Sequence, residues 1–214
     1  VVVTPPSGTE ARFGNYTGFT LQGYSHIFYT TGDSSTGSVP DPSVDPCNLS
    51  YSAPTKKYSG EFFFPANTLT GTIKYLGLST SGWASALIAK RADYPRRKTE
   101  QVYLSLPDGT QISGNNCRQI TLSSADTGIH FYVTSGTTTP ADPTSSDFKV
   151  SGGNYDDDCC VNPSGTGIFT VCPGNIYKFI ASGTGLNRSD VTEATYSYYY
   201  ADADAISFSP DLAS

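Results

Sequence analysis

Short β-prone runs recur along this chain at roughly 8–12-residue intervals, and Gly, Pro and Asp-Gly steps punctuate them. They fall at residues 16–21, 26–31, 57–64, 69–78, 100–106, 111–113, 118–123, 128–135, 148–150, 167–171, 176–182, 194–200 and 205–208. Within 69–78 the period is two, with Leu69, Gly71, Ile73 and Tyr75 alternating against Thr70, Thr72 and Lys74. Residues 83–91 read equally well as a strand or a short helix. About a dozen short strands at this spacing is the pattern of a β-sandwich or jelly roll. The fold class expected is all-β, a single sandwich over residues 9–214, with long loops at 33–47 and 136–146. The second loop, GTTTPADPTSS, is the best place for a linker or crossover.

Composition supports the same class. Of 214 residues, 27 are Ser and 26 are Thr, and 21 Gly and 14 Pro leave little room for long helices. Fifteen Tyr and eleven Phe suit half-buried pleated surfaces instead. The net charge of −6 and the lack of a long basic stripe argue against a nucleic-acid partner. No apolar run approaches the roughly 18–20 residues that span a bilayer. Neither Met nor a basic-plus-apolar leader stands at the start, as expected of an exported chain whose signal has been removed.

Five cysteines (Cys47, Cys117, Cys159, Cys160 and Cys172) fit an oxidising compartment, and the odd number leaves one thiol over. Adjacent cysteines rarely bridge each other. The expected pairing is therefore Cys47 with Cys117, and Cys172 with Cys160 or Cys159. The Asp108-Gly109 step predicts a hairpin joining 100–106 to 111–113, and 118–123 is expected to pair with 128–135.

Catalytic patterns are missing from this reading. His26 and His130 each sit in an aromatic run, where a packed structural histidine is the default. No G-x-S-x-G elbow occurs, and nothing singles out Glu61 and Glu100 as a glycosidase pair over the other carboxylates. Asp156, Asp157 and Asp158 lack the spacing of a calcium loop, no metal or cofactor is expected, and the segment around Lys90, Arg91, Arg96, Arg97 and Lys98 reads as a solvated sheet edge. Tyr196, Tyr198 and Tyr200 alternate onto one face, where they either pack or stack on sugar rings. Asn15, Asn48 and Asn187 head N-x-[ST] sequons, but a chain this rich in Ser and Thr yields about two by chance.

The apolar tip Val1, Val2, Val3, Thr4, cut off by Pro5-Pro6, reads as an N-terminal arm over residues 1–8. An apolar tip ahead of a sandwich resembles extracellular fibre and pilus subunits, which polymerise by lending a terminal strand to a neighbour. The resemblance implies a secreted, non-enzymatic structural subunit of a surface filament or coat. Its partners would be copies of itself, with Val1–Thr4 at the subunit interface and an extracellular or cell-surface location. The alternatives are a carbohydrate-binding module or adhesin and, behind it, a secreted polysaccharide-active enzyme.

Overall fold

The computed structural model describes residues 1–79, 89–114, 116–150 and 165–199. Among these the chain forms fourteen strands and no helix, so the all-β class holds. The sequence reading had one domain, but the chain divides into two compact units. Unit 1 holds Val1–Thr99 and Gly183–Arg188; unit 2 holds Glu100–Ser182 and Ser189–Ser214. Composition does not change at Thr99, and no Pro- or Gly-rich linker marks the boundary. The GTTTPADPTSS segment is instead a connection inside unit 2.

Unit 1 contains β1 (Val2–Thr4), β2 (Thr20–Gln22), β3 (His26–Asp33), β4 (Lys56–Lys57), β5 (Thr70–Leu78) and β6 (Lys90–Pro95). The last four make an antiparallel sheet in the order β4-β3-β5-β6. Alternation divides its side chains between two buried faces. Ile27 and Tyr29 of β3, Ile73 and Tyr75 of β5, and Ala92 and Tyr94 of β6 pack with Phe13, Phe19, Leu21 and Phe64 on one side. Gly71 is required there, because a Cβ would stand 2.8 Å from the Phe64 ring. On the other side Phe28, Leu76 and Leu78 form a smaller cluster with Val44 and Leu49. The proline-punctuated loop expected at 33–47 supplies this cover: Thr30 Oγ1 donates to Pro40 O, and Lys74 pairs with Asp41 at 2.7 Å.

Unit 2 contains β7 (Tyr103–Leu104), β8 (Gln111–Ser113), β9 (Arg118–Ser123), β10 (Ile129–Gly136), β11 (Phe148–Val150), β12 (Thr166–Val171), β13 (Asn175–Gly183, whose last residue belongs to unit 1) and β14 (Thr192–Tyr199). One sheet has the order β11-β10-β13-β14-β8 and the other β12-β9-β7. Phe169 of β12 lies edge-on to Tyr177 and Phe179 of β13, at 5.7 and 5.8 Å between centroids, so the sheets face each other. This division matches the immunoglobulin-type sandwich, with β7-β9-β12 in the place of A-B-E and β11-β10-β13-β14 in the place of C′-C-F-G. Tyr177, early in β13, accepts the Cys172 amide on its hydroxyl at 2.7 Å, the arrangement of a tyrosine corner.

Two expected pairings are corrected here. The Asp108-Gly109 turn forms, with Gly109 at φ 75°, but it does not close a hairpin. Its Asp108 carboxylate accepts the Thr195 amide at 2.7 Å, and Gly109 N donates to Thr195 O. Docked on β14 in this way, the turn sends β7 to one sheet and β8, parallel to β14, to the other. Likewise β9 pairs with β7 and β12 rather than β10, because the chain crosses between the sheets at residues 124–128.

Candidate functional site

The stretch read as an N-terminal arm is folded onto its own unit. Val2, Val3 and Thr4 pair with Gln22, Leu21 and Thr20 of β2. Val1 and Val3 pack against the aromatic cluster of unit 1 while Val2 points to solvent. Val1 and the Tyr24 ring sit over Gly77 of β5, where a Cβ would stand within 2.8 Å of both. Pro5 and Pro6 then end the ladder; Tyr94 Oη donates to Pro5 O, and Gly8 N donates to Asp93 O beside β6. Val1–Thr4, expected at a subunit interface, thus pairs and packs within its own unit in the single chain.

The cysteine pairing also differs from expectation. Cys117 is bonded to Cys172, and Cys47 is free and exposed. The register explains it: Arg118 faces Val171 at the end of the β9–β12 ladder, so the next antiparallel pair is Cys117 with Cys172. Their Cα atoms are 4.1 Å apart. Cys47 lies in unit 1, at the tip of a turn closed by the Val44–Tyr51 bridge, with its amide on Asp45 Oδ1. Cys159, Cys160 and the acidic run Asp156, Asp157 and Asp158 lie outside the described residues.

The tyrosine run divides by position. Tyr196 is fully buried, donates its hydroxyl to Leu106 O at 2.9 Å, and is corrected from a sugar platform to a core residue. Burial, then the nearby Asp108 and Tyr177, push its phenol up to about 12. Tyr198, over Gly174, and Tyr199 stay 43% and 48% exposed at the end of the strand, and Tyr200 lies outside the described residues.

The sequons separate as well. Asn187 is engaged in the fold: its Nδ2 donates to Arg96 O at 2.9 Å, and Ser189 Oγ is buried between Ala181 N and Asp190 O. Asn15 and Asn48 are exposed; Asn48 closes an Asx turn by accepting Ser50 N on Oδ1.

Glu61 belongs to unit 1 and Glu100 to unit 2, and each histidine sits half-buried within its strand. No group of three or more His, Cys, Asp or Glu able to hold a metal occurs among the described residues. Lys90 and Arg91 do decorate the edge strand β6, with Arg91 paired to Asp93 at 2.8 Å, whereas Arg96 turns in to donate to Thr68 O. One carboxylate stands out electrostatically. Slight burial raises Asp33, but hydrogen bonds from Ser35 and from the Leu69 and Thr70 amides outweigh it and bring its carboxyl down to about 2.

Sequence reasoning missed the outward face of the β7-β9-β12 sheet. Ile120 and Leu122 point inward, so Thr121 and Ser123 point out. Register then places Tyr103 and Thr166 beside Ser123, and Ile168 beside Thr121. The alternation was visible in 118–123, but only the pairing shows which residues share the face. No family model matches the chain, and no curated protein sequence matches it significantly.

Proposed function

We propose that this protein is a secreted structural subunit of an extracellular surface assembly, and that β1 is the element exchanged between copies. One observation carries the reading. The contacts of β1 are a short main-chain ladder to β2 plus the seating of Val1 and Val3, and Pro5-Pro6 follows at once. An identical strand from a second copy satisfies the same ladder and the same apolar positions, so exchange costs few contacts. The Cys117–Cys172 bridge is compatible with an oxidising extracellular setting.

Negative-stain microscopy and sedimentation of the full oxidised chain test the proposal. The expected result is concentration-dependent multimers that Val3→Asp disperses, since a carboxylate at that position is pressed half-buried against the aromatic cluster. A chain that sediments as a monomer across the concentration range overturns it.

A further inference from the structure

We infer that the outward face of the β7-β9-β12 sheet binds neutral oligosaccharide. Six side chains form a grid of two rows, Tyr103–Ser123–Thr166 and Ser105–Thr121–Ile168, in strand order. With strands about 4.8 Å apart and same-face residues about 6.7 Å apart, these two rows measure about 10 by 7 Å, room for a disaccharide, and Gln119 and Thr170 continue the face beyond them. Tyr103 is 58% exposed and Ile168 46% exposed, at diagonal corners, with hydroxyls between them. Ser105 Oγ accepts the Thr121 amide at 2.8 Å, which leaves its proton to donate.

The chemistry selects the occupant. A sugar ring offers an apolar C–H face for the tyrosine ring and hydroxyls that both donate and accept, as Ser and Thr do. The six include no Asp, Glu, Lys, Arg or His, so the grid carries no charge to pair with phosphate, sulfate or an ammonium group, and a neutral ligand matches it best. A protein-docking centre is depleted in Ser, which supplies two of these six positions. The inference is independent of β1, which belongs to the other unit.

The experiment titrates the isotope-labelled, oxidised full chain with cellohexaose, chitohexaose, mannohexaose and maltohexaose. It follows amide shifts and repeats the titration on Tyr103→Ala, Tyr103→Phe, Thr121→Val and Tyr198→Ala. An open, flat face predicts dissociation constants near 1 mM, so each ligand is taken to about 10 mM. At least one neutral hexasaccharide is expected to move the amides of 103–105, 119–123 and 166–170. Tyr103→Ala is expected to weaken binding about tenfold and Thr121→Val about threefold, with Tyr103→Phe and Tyr198→Ala near wild type. Shifts from none of the four, undiminished binding by Tyr103→Ala, or loss only in Tyr198→Ala each overturn the inference. So does self-association that Tyr103→Ala abolishes, which assigns the face to a second copy.

Discussion

Unit 1 is held by rings: Phe19 alone lies against Phe62, Phe64 and Tyr94 at 5.9, 5.0 and 4.7 Å between centroids. Its central strands β3 and β5 are covered on both faces, one by that cluster and the other by the loop through Pro40 and Val44. Unit 2 closes two sheets on each other, with Phe169 between them and a covalent bridge at the end of β9 and β12. Both units draw on the same hydroxyl-rich, helix-poor composition. The difference shows that where buried rings gather around one sheet, as Phe13, Phe19 and Phe64 do in unit 1, that sheet can be covered by irregular chain. In unit 2 a second sheet and a cross-link take that role.

The strongest way to break the comparison is Phe19→Ala. Truncating a fully buried ring with three aromatic neighbours should cost unit 1 about 4 kcal/mol. Calorimetry should then show the unit 1 transition falling while that of unit 2 stays in place. Cys172→Ser is the converse, expected to cost unit 2 about 3 kcal/mol by freeing the unfolded chain. The matching chemical test is iodoacetamide without reductant, which should label Cys47 and leave Cys117 and Cys172 untouched.

A smaller, pH-dependent effect sharpens the account of unit 1. The Asp33 carboxyl is lowered from 3.8 to about 2, so its stabilisation is complete above pH 4 and is lost as the pH falls through 2. After solvent screening this amounts to about 1 kcal/mol. Asp33→Asn should remove that part of the acid dependence between pH 4 and 2 in a urea-denaturation series, with little change in unit 2.

The comparison also shows what the sequence could disclose. Local alternation locates many strands well: residues 118–123, 111–113 and 148–150 are strands with those bounds, and 26–31, 69–78 and 176–182 shift by one or two residues. Partners were not legible. The Asp108-Gly109 turn is a correct local signal, yet its neighbours go to separate sheets because the Asp108 carboxylate binds β14 instead. Cysteine pairing follows register, and register follows partner choice, so one unread ladder produced the wrong bridges. The face proposed to bind glycan escaped for the same reason, since Tyr103, Thr121 and Ile168 are remote in sequence and meet only through β9.

The central functional claim is that β1 changes partner between copies, and cross-linking its own register tests this directly. Val2 faces Gln22, so Val2→Cys with Gln22→Cys in a Cys47→Ser background places two thiols across the ladder. The single Val2→Cys variant serves as the control. After mild oxidation of concentrated protein, strand exchange predicts a ladder of covalent multimers on a non-reducing denaturing gel that collapses on reduction. A product consisting only of internally bridged monomer, at every concentration, would contradict the account.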